Sequence, residues 1–283
     1  MADGPTVRRR RLGAELRRLR VAHGLKLDEV AAGLGVVAST LSRIEKGKAP
    51  IRTSYLRDLF DLYEVEDPGA KQLLVDMARE GHRKGWWADY DDVLPSGFDV
   101  FVGLEAEAKA VRVYEANFVP GLLQTREYAT AILRGLHPRD SEDQIDRLVE
   151  LRLLRQRKLD EATPLDLWLI LDESAVRRCV GGPAVLRRQL EHLVKASTWS
   201  NVGLQVLPFD AGAHAGLDGP FSILQFDLED PDVVSVESAG GIVYLEKDRE
   251  VRDCAEVFER LRASALSPQS SVAFLEHLQE MLE

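Results

Sequence analysis

The sequence of 283 residues predicts an α+β protein, with a small all-helical domain at the N-terminus and a larger α+β domain after it. In the N-terminal part, apolar residues recur every three or four positions, which is the period of a helix. From Pro164 onward, short apolar stretches are separated by turns such as Gly219-Pro220, which is typical of strands. Strands that follow helices in a block, instead of alternating with them, favour an α+β fold with a mostly antiparallel sheet.

Four helices are expected in the N-terminal domain. The first, second and fourth are expected at about 12–24, 27–34 and 53–63, and the third lies within the stretch 36–48. Gly35 provides the tight turn between the second and third helices, because glycine adopts left-handed backbone angles without a steric penalty. In the third helix, Leu41 and Ile44 are three residues apart and therefore face inward together. Gly47 is placed to end that helix.

The outward face of the third helix has the shape and charge of a surface that enters a DNA major groove. It carries Ala38, Ser39, Ser42, Arg43 and Lys46. The small side chains allow close approach, and an arginine can read a guanine edge. Residues 1–60 contain 13 Lys or Arg and 6 Asp or Glu, a net charge of +7, whereas residues 61–283 contain 24 and 41, a net charge of −17. A basic head on an acidic body is the charge pattern of a DNA-binding protein that carries a second function.

These four helices resemble the helix-turn-helix domain of phage-repressor-like, XRE-type regulators, over residues 12–63 without a gap. The resemblance implies contacts with base edges, on the face that also carries Ser42, from Ala38, Ser39 and Arg43. It implies contacts with the DNA backbone or the minor groove from Thr40, Lys46, Lys48 and Arg52. Two alternatives remain: Thr40 is equally a helix-start residue, and Lys46 and Lys48 can simply complement the negative end of the helix dipole.

The same resemblance predicts an ion pair and includes departures from the family pattern. Arg20 and Glu45 match a structural ion pair between the first and third helices. Val37 stands where a capping Ser or Thr is usual, so the third helix is expected to begin later, with Ser39 as its cap. Leu27 replaces the usual polar phosphate contact at the start of the second helix, and an alanine replaces the usual polar base reader at position 38.

Several classes of protein are disfavoured by the composition. No apolar run approaches the ~20 residues of a membrane span, and no apolar stretch follows the basic N-terminus as in a signal peptide. Cys179 and Cys254 are too few for a disulfide framework or a zinc site. We therefore expect a cytoplasmic protein without a cofactor or metal, associated with the nucleoid when it is bound to its operator.

A helical, aromatic-rich linker is expected between the domains. Asp67-Pro68 predicts a helix start, with Asp as the cap and Pro at the first position, and this helix should reach about Gly81. Trp86 and Trp87 follow in a dense aromatic stretch, which we interpret as an anchor that pins the linker helix onto the larger domain; ligand stacking is the alternative. The predicted domains are therefore 8–65, 66–92 (the linker) and 93–283.

The larger domain is expected to contain helices first and strands later. The apolar spacing between residues 98 and 111 predicts a helix up to about Tyr114, and the basic residues of a long helix over 144–159 are expected to form mostly a solvated face. Further helices are expected near 125–133, 183–197, 249–265 and 270–282. The expected strands lie near 165–171, 203–207, 221–226, 233–236 and 242–245.

Ordered motifs in this part resemble the large C-terminal domain of WhiJ-like, Scr-type antitoxin-like regulators of GC-rich filamentous bacteria. The motifs are Gly85-Trp86-Trp87, 103–107, 119–125, Gly181-Gly182-Pro183, 206–209, His214-Ala215-Gly216 and Leu266-Ser267-Pro268. Such regulators are paired with a small protein encoded beside them. The resemblance therefore implies an antitoxin-like regulator whose C-terminal domain binds a small partner protein.

An enzymatic function is not predicted. Gly181-Gly182-Pro183 could cradle a phosphate but lacks the Lys and Ser/Thr of a P-loop. His214 lies in a Gly-rich loop without a second His or a nucleophile nearby in the sequence, and Asp172 and Glu173 are more simply a cap for the turn after their strand. The alternative to partner binding is a one-component regulator that senses a small molecule in a pocket lined by Trp86, Trp87 and the loop around His214.

A homodimer assembled through the larger domain is expected. One recognition helix reads only a few base pairs, so two heads on an inverted-repeat operator would double the readout. The apolar helix near 270–282 is a candidate interface, and the alternative is that this helix only closes the sheet of its own domain.

Overall fold

The computed structural model describes residues 7–81, 85–95, 97–227, 231–238 and 241–282. These residues fall into two compact units. The first unit contains those up to Ala88 together with Asp99–Leu104, and the second contains Asp89–Phe98 and those from Glu105 onward. The predicted α+β class is confirmed. None of the described helices is long and apolar enough to cross a membrane.

The first unit is helical. Its helices are α1 (Val7–Ala22), α2 (Leu27–Gly33), α3 (Ala38–Glu45), α4 (Thr53–Leu62) and α5 (Pro68–Gly81). Leu16, Leu41 and Leu56 are completely buried at the centre. Helix α5 packs against α1 and α4, and its Leu74 and Ala78 belong to the same core. The predicted linker therefore begins with a helix that shares the core of the first four.

The ends of the first four helices have one common geometry. Gly24, Gly35 and Gly47 follow α1, α2 and α3 with φ of 66°, 65° and 66°, and Glu64 follows α4 with φ of 48°. In each case the next N–H donates to a carbonyl five residues earlier, as Lys48 does to Arg43 at 2.7 Å. This Schellman arrangement satisfies carbonyls that the helix leaves without partners. The predicted roles of Gly35 and Gly47 are confirmed.

The second unit is built on a six-stranded mixed sheet. Its strands are β1 (Ala110–Glu115), β2 (Asp166–Asp172), β3 (Val202–Leu207), β4 (Phe221–Gln225), β5 (Val233–Ser238) and β6 (Gly241–Leu245). Their order across the sheet is β3-β2-β1-β4-β5-β6. The β1–β2 and β2–β3 pairs are parallel, and the other three pairs are antiparallel. The sequence also predicts turns at Asp230-Pro231-Asp232 and Gly240-Gly241, of which Asp230 and Gly240 lie outside the described residues.

Strand β1 corrects the sequence prediction. Helix α6 (Phe98–Glu107) ends before it, so the predicted helix up to Tyr114 was wrong over its last turns. Val111 and Val113 are buried while Arg112 between them is only half-buried, which is the alternation of a strand. Strand β1 lies between β2 and β4 and runs parallel to β2. Together with the parallel β2–β3 pair, this makes the sheet mixed, although three of its five strand pairs are antiparallel as predicted.

Helices surround the sheet. They are α7 (Arg126–Leu136), α8 (Glu142–Gln156), α9 (Glu173–Arg177), α10 (Pro183–Ala196), α11 (Asp248–Ser264) and α12 (Pro268–Glu280). Phe258 and Leu261 of α11 pack with Ile170 and Val234 of the sheet. Helices α7 and α8 form a separate apolar cluster around Ile145.

Helix α12 closes one edge of the sheet. It packs on α10 and on β3, and its Leu275 and Leu278 are buried there. The backbone of Val206 in β3 is satisfied from the same side, since its carbonyl accepts from Leu266 N at 2.9 Å and its N–H donates to Ser271 Oγ at 2.9 Å. The apolar face of α12 is thus used within the domain, as the alternative to a dimer interface supposed.

Candidate functional site

Helices α2 and α3 form the helix-turn-helix. The turn passes through Gly35, and Val36 N donates to Ala31 O at 2.9 Å. Leu41 and Ile44 on α3 are buried, so the opposite face of α3 points outward. This is the face that the sequence predicts to contact DNA.

The predicted cap of α3 was wrong. Val37 is the residue before the first helical residue, with extended backbone angles and no side-chain cap, and Ser39 lies inside the first turn. The carbonyl of Val37 accepts from Thr40 N at 2.9 Å and from Leu41 N at 3.4 Å. Because the backbone at Val37 already starts the helix, the hydroxyl of Ser39 is not needed as a cap and remains on the exposed surface.

The predicted DNA contacts divide into two groups by exposure. The exposed residues are Ser39, Arg43, Lys46, Lys48 and Arg52. The half-buried residues are Ala38, Thr40 and Ser42. The long basic side chains therefore project outward. The short side chains at the start of α3 leave its backbone near the protein surface.

Two glycines let α1 and α3 approach each other closely. A Cβ atom on Gly13 of α1 would lie 2.5 Å from Ile44 O. A Cβ atom on Gly47 would lie 2.8 Å from the backbone of Arg10. Both distances are shorter than contacts that real Cβ atoms make, so any larger residue would push the end of α3 away from α1.

An ion pair joins the same two helices. Arg20 Nε donates to Glu45 Oε1 at 2.6 Å and Arg20 Nη2 donates to Glu45 Oε2 at 3.0 Å. The side chains are only 13% and 5% exposed. Arg20 Nη1 also donates to Leu25 O at 2.9 Å, which links the pair to the segment before α2. The hydrogen bond with Glu45 raises the pKa of Arg20, so the guanidinium stays charged.

Trp86 and Trp87 lie in a short 3₁₀ helix, Trp86–Tyr90, and belong to the first unit. Their rings meet edge to face at 5.9 Å. The ring of Trp87 packs so closely on Gly85 and Gly103 that Cβ atoms there would lie 2.2 Å and 3.0 Å from it. Trp86 is 42% exposed. Trp87 is therefore a packing residue of this unit. His214, the third member of the predicted ligand pocket, belongs to the second unit.

His214 lies beside Asp172 and Tyr114. Its Nδ1 accepts from Gly216 N at 3.2 Å, its Nε2 lies 3.8 Å from Asp172 Oδ2, and its ring meets Tyr114 edge to face at 6.0 Å. The hydroxyl of Ser174 lies 2.5 Å from Ala116 O and 2.6 Å from Asp172 Oδ1, so its acceptors are these oxygens and not His214. In a nucleophile triad the serine donates to the histidine, so this order does not activate Ser174.

Asp172 acts as a helix cap, as the sequence favours. Its Oδ1 accepts from Ser174 N at 2.9 Å at the start of α9. Neighbouring Glu173 accepts from Phe209 N at 2.8 Å and pairs with Arg177. Both carboxylates thus hold the loop geometry at the end of β2. Among the residues that the structure describes, no group of His, Cys, Asp and Glu could hold a metal ion.

A buried polar network holds segment 119–125, which the sequence singled out only by resemblance. Gln156 Nε2 donates to Gly121 O and Gln124 O, both at 2.8 Å. Gln189 donates to Leu123 O at 2.7 Å and accepts from Thr125 N at 2.7 Å. Side chains from α8 and α10 therefore satisfy an irregular backbone segment inside the domain.

One arginine of α8 extends this network, and another corrects the prediction of a mostly solvated basic face. Arg155 is buried and pairs with Glu105 through two hydrogen bonds, at 2.7 Å and 2.8 Å. Arg152 Nη1 donates to Gln124 Oε1 at 2.6 Å. Burial, together with the charge of Arg155, lowers the pKa of Arg152 to about 10. The signal for Arg155 was available, because it shares the spacing of the apolar residues of α8.

Glu115 at the end of β1 is the most perturbed carboxyl group of this region. It accepts from Ala116 N and Asn117 N, both at 2.9 Å. Burial raises the pKa of Glu115 to about 7, and the nearby charge of Glu237 acts in the same direction.

Comparison with known families assigns both parts of the chain. A model described as a helix-turn-helix domain matches residues 11–73. A model described as a domain of unknown function, DUF5753, matches residues 98–277, which is more than half of the chain. The chain belongs to the DUF5753 family. No curated protein and no solved structure matches it.

Most of the features described above fall within one or the other of the two matched regions. The outward face of α3 and the Arg20–Glu45 pair lie in the helix-turn-helix match. The polar network around Gln124, the buried Arg155–Glu105 pair and His214 lie in the DUF5753 match. Trp86 and Trp87 lie between the two.

Replacing Glu45 by Ala should destabilise the first unit. The change leaves the guanidinium of Arg20 largely buried without its carboxylate, and breaking a buried pair in this way costs ~3–5 kcal/mol. We expect a calorimetric scan to show the first unit unfolding at a lower temperature than in the wild type, with the transition of the second unit unchanged. Glu15→Ala is the matched control, because it breaks the exposed pair with Arg18 on α1, and such pairs contribute little. Identical melting of Glu45→Ala and the control would mean that the buried pair does not stabilise the head.

Replacing Glu115 by Gln should stabilise the protein above neutral pH. The folded state holds a proton on Glu115 that the unfolded chain releases, since its pKa is raised from 4.5 to about 7. Stability from this group is therefore lost as the pH rises between those values. Gln stays neutral and keeps the acceptor oxygen. In urea titrations, the variant should gain stability relative to wild type from pH 5 to pH 8, whereas Glu191→Gln on the exposed surface of α10 should show no such trend. A difference that does not change with pH would contradict the raised pKa.

Proposed function

We propose that this chain is a sequence-specific DNA-binding transcriptional regulator whose helix α3 enters the major groove. The observation that carries the proposal is the outward face of α3, where short side chains are followed by the exposed Arg43 and Lys46. The helix-turn-helix match and the net charge of +7 over residues 1–60 support it. The resemblance of residues 12–63 to XRE-type regulators also supports it, because proteins of that family are DNA-binding regulators.

Each residue of this face has a proposed role. Arg43 reads a base edge, because its guanidinium can donate two hydrogen bonds to a guanine. Ala38, Ser39 and Ser42 let the helix approach the bases. The residues proposed to hold phosphates or the minor groove are Thr40, Lys46, Lys48 and Arg52. The proposed operator is an inverted repeat bound by a homodimer, because two heads read twice the sequence of one.

We further propose that the second unit binds a small partner protein, as in antitoxin-like regulators. The support comes from the loop between β3 and β4, which carries Phe209 and Leu217 with 58% and 69% of their surface exposed. Two large, exposed apolar side chains on one loop offer anchors that a partner protein can bury. The alternative is a small-molecule sensor around Trp86, Trp87 and His214. It has less support, because Trp87 is used in packing on two glycines.

Arg43→Ala should weaken operator binding selectively. The operator is first selected from randomised duplexes with the wild-type chain, and affinities are then measured by fluorescence anisotropy. Loss of a bidentate base contact costs ~1–3 kcal/mol, so we expect a loss of about 10- to 100-fold on the selected duplex and little change on unrelated DNA. Lys48→Ala should weaken binding to the selected duplex and to unrelated DNA alike, because it removes a phosphate contact. The slope of log affinity against log salt concentration should fall by about 1.

Arg139→Ala is the control, because Arg139 is exposed on the second unit and should have no effect. If the wild-type chain enriches no sequence, or if Arg43→Ala binds the selected duplex as tightly as the wild type, the proposed recognition surface is wrong.

The partner proposal predicts that a double variant, Phe209→Asp with Leu217→Asp, loses binding to the small protein encoded beside this chain. Charges at two exposed apolar anchors remove apolar burial and add a desolvation cost. Titration calorimetry with the full chain should show at least a tenfold weaker complex. Leu136→Asp is the control, because Leu136 is similarly exposed, at 55%, but lies outside this loop. This variant should bind the partner as the wild type does. Binding that survives the double variant would exclude this loop as the anchor.

A further inference from the structure

Among the large apolar side chains described in the first unit, Val37 has the highest exposed fraction, 67%. It stands between two other apolar residues, Val36 and Ala38, and both of these pack against the core of the unit. The three consecutive residues therefore do not share one environment. Packing of the first unit explains the apolar residues at 36 and 38, but it does not explain a valine at position 37.

The backbone fixes where the side chain of Val37 lies. Its backbone is extended, with φ of −77° and ψ of 147°, and its carbonyl accepts from Thr40 N at 2.9 Å as α3 begins. On the other side, Val36 N donates to Ala31 O at 2.9 Å and closes the turn after α2. Valine also has few side-chain rotamers. Its two methyl groups are therefore held at the N-terminal end of α3, and this is the end of a recognition helix that contacts base edges.

The chemistry of valine limits what this side chain can contact on DNA. It has no hydrogen-bond donor, so it cannot hold a phosphate as the hydroxyl of a Ser or Thr at this position could. Among the groups that base pairs present in the major groove, the apolar one is the C5-methyl group of thymine. Contact between a branched apolar side chain and this methyl group removes apolar surface of both from water. Such a contact favours thymine over a base without the methyl group.

We infer that Val37 is a specificity-determining residue, whose methyl groups contact the C5-methyl group of one thymine in each half of the operator. This inference rests on the proposed function and adds a second kind of readout to the same surface. Arg43 reads a base edge by hydrogen bonds, whereas Val37 reads one by apolar contact. The two residues are about 9 Å apart along the axis of α3, so they reach different base pairs.

The test removes single methyl groups from the DNA. The operator is selected from randomised duplexes with the wild-type chain, and each of its thymines is then replaced in turn by uracil, which lacks only the methyl group. Burial of one such group favours binding by about three- to fivefold. We therefore expect one thymine in each half-site at which uracil weakens binding by this factor in fluorescence anisotropy. At the same position, 5-methylcytosine should be bound more tightly than cytosine by a similar factor, because it carries the same methyl group.

Variants of the protein show whether Val37 is the residue that reads the methyl group. Val37→Ser should bind the thymine and uracil duplexes with equal affinity. Serine is also a favourable residue before a helix, so α3 should keep its start, and a calorimetric scan establishes that the first unit is folded. Val37→Thr keeps one methyl group and should retain part of the preference. Val243→Ser is the matched control, because Val243 is a valine 55% exposed in the second unit, and this variant should keep the full preference.

The outcomes separate this inference from the proposed DNA-binding function. Enrichment of a sequence, and its weaker binding by Arg43→Ala, test that function without any change at position 37. An enriched operator that Arg43 reads, but in which no thymine can be distinguished from uracil, would leave the function in place and overturn the role of Val37. A methyl preference that Val37→Ser retains would overturn it as well. A wild-type chain that enriches no sequence would overturn both.

Discussion

The close packing of α1 against α3 is the constraint on which the proposed DNA-binding surface depends. Helix α3 has only eight residues, too few to be stable or fixed in direction without tertiary contacts. Gly13 and Gly47 allow contact between the backbones of the two helices. The Arg20–Glu45 pair then joins them with directional hydrogen bonds. Compared with a well-packed apolar pair, a buried ion pair adds little net stability, although the loss of one partner alone is costly. Its directional hydrogen bonds define a geometry, and a surface that reads bases needs a defined helix direction.

In the second unit, directional hydrogen bonds likewise fix the geometry of a loop. Segment 119–125 is irregular and lies inside the domain, where its backbone groups need partners. Glutamines at 124, 156 and 189 supply these partners, and Arg152 in turn donates to the side chain of Gln124. A network of this kind is stable only when every member is satisfied. This explains why a run such as 119–125 is recognisable as a motif although it carries no catalytic group.

Much of the first unit could be predicted because its signals are local. Gly24, Gly35 and Gly47 end helices by their own backbone freedom, and Leu41 and Ile44 face inward by spacing alone. The start of α3 was misassigned because Val37 precedes the helix without a capping side chain. A start that depends on backbone angles alone leaves no signal in the residue types. Strand β1 was missed for a different reason. Its apolar residues continue the helical spacing of α6, and only the pairing with β2 and β4, which are distant in sequence, makes it a strand.

The same limit applies to the sites of the second unit. The sequence places Asp172, Ser174 and His214 in different elements, and their types alone would suit a nucleophile triad. Whether they act as one depends on which atoms meet. Here the serine hydroxyl lies against the Ala116 carbonyl and Asp172, while His214 accepts from a backbone N–H. The apolar face of α12 and the valine before α3 are a parallel case. Both suit a contact surface by composition, yet α12 is covered by its own domain and Val37 is exposed. Composition therefore identifies surfaces that need a partner, and only the fold determines which of them already have one.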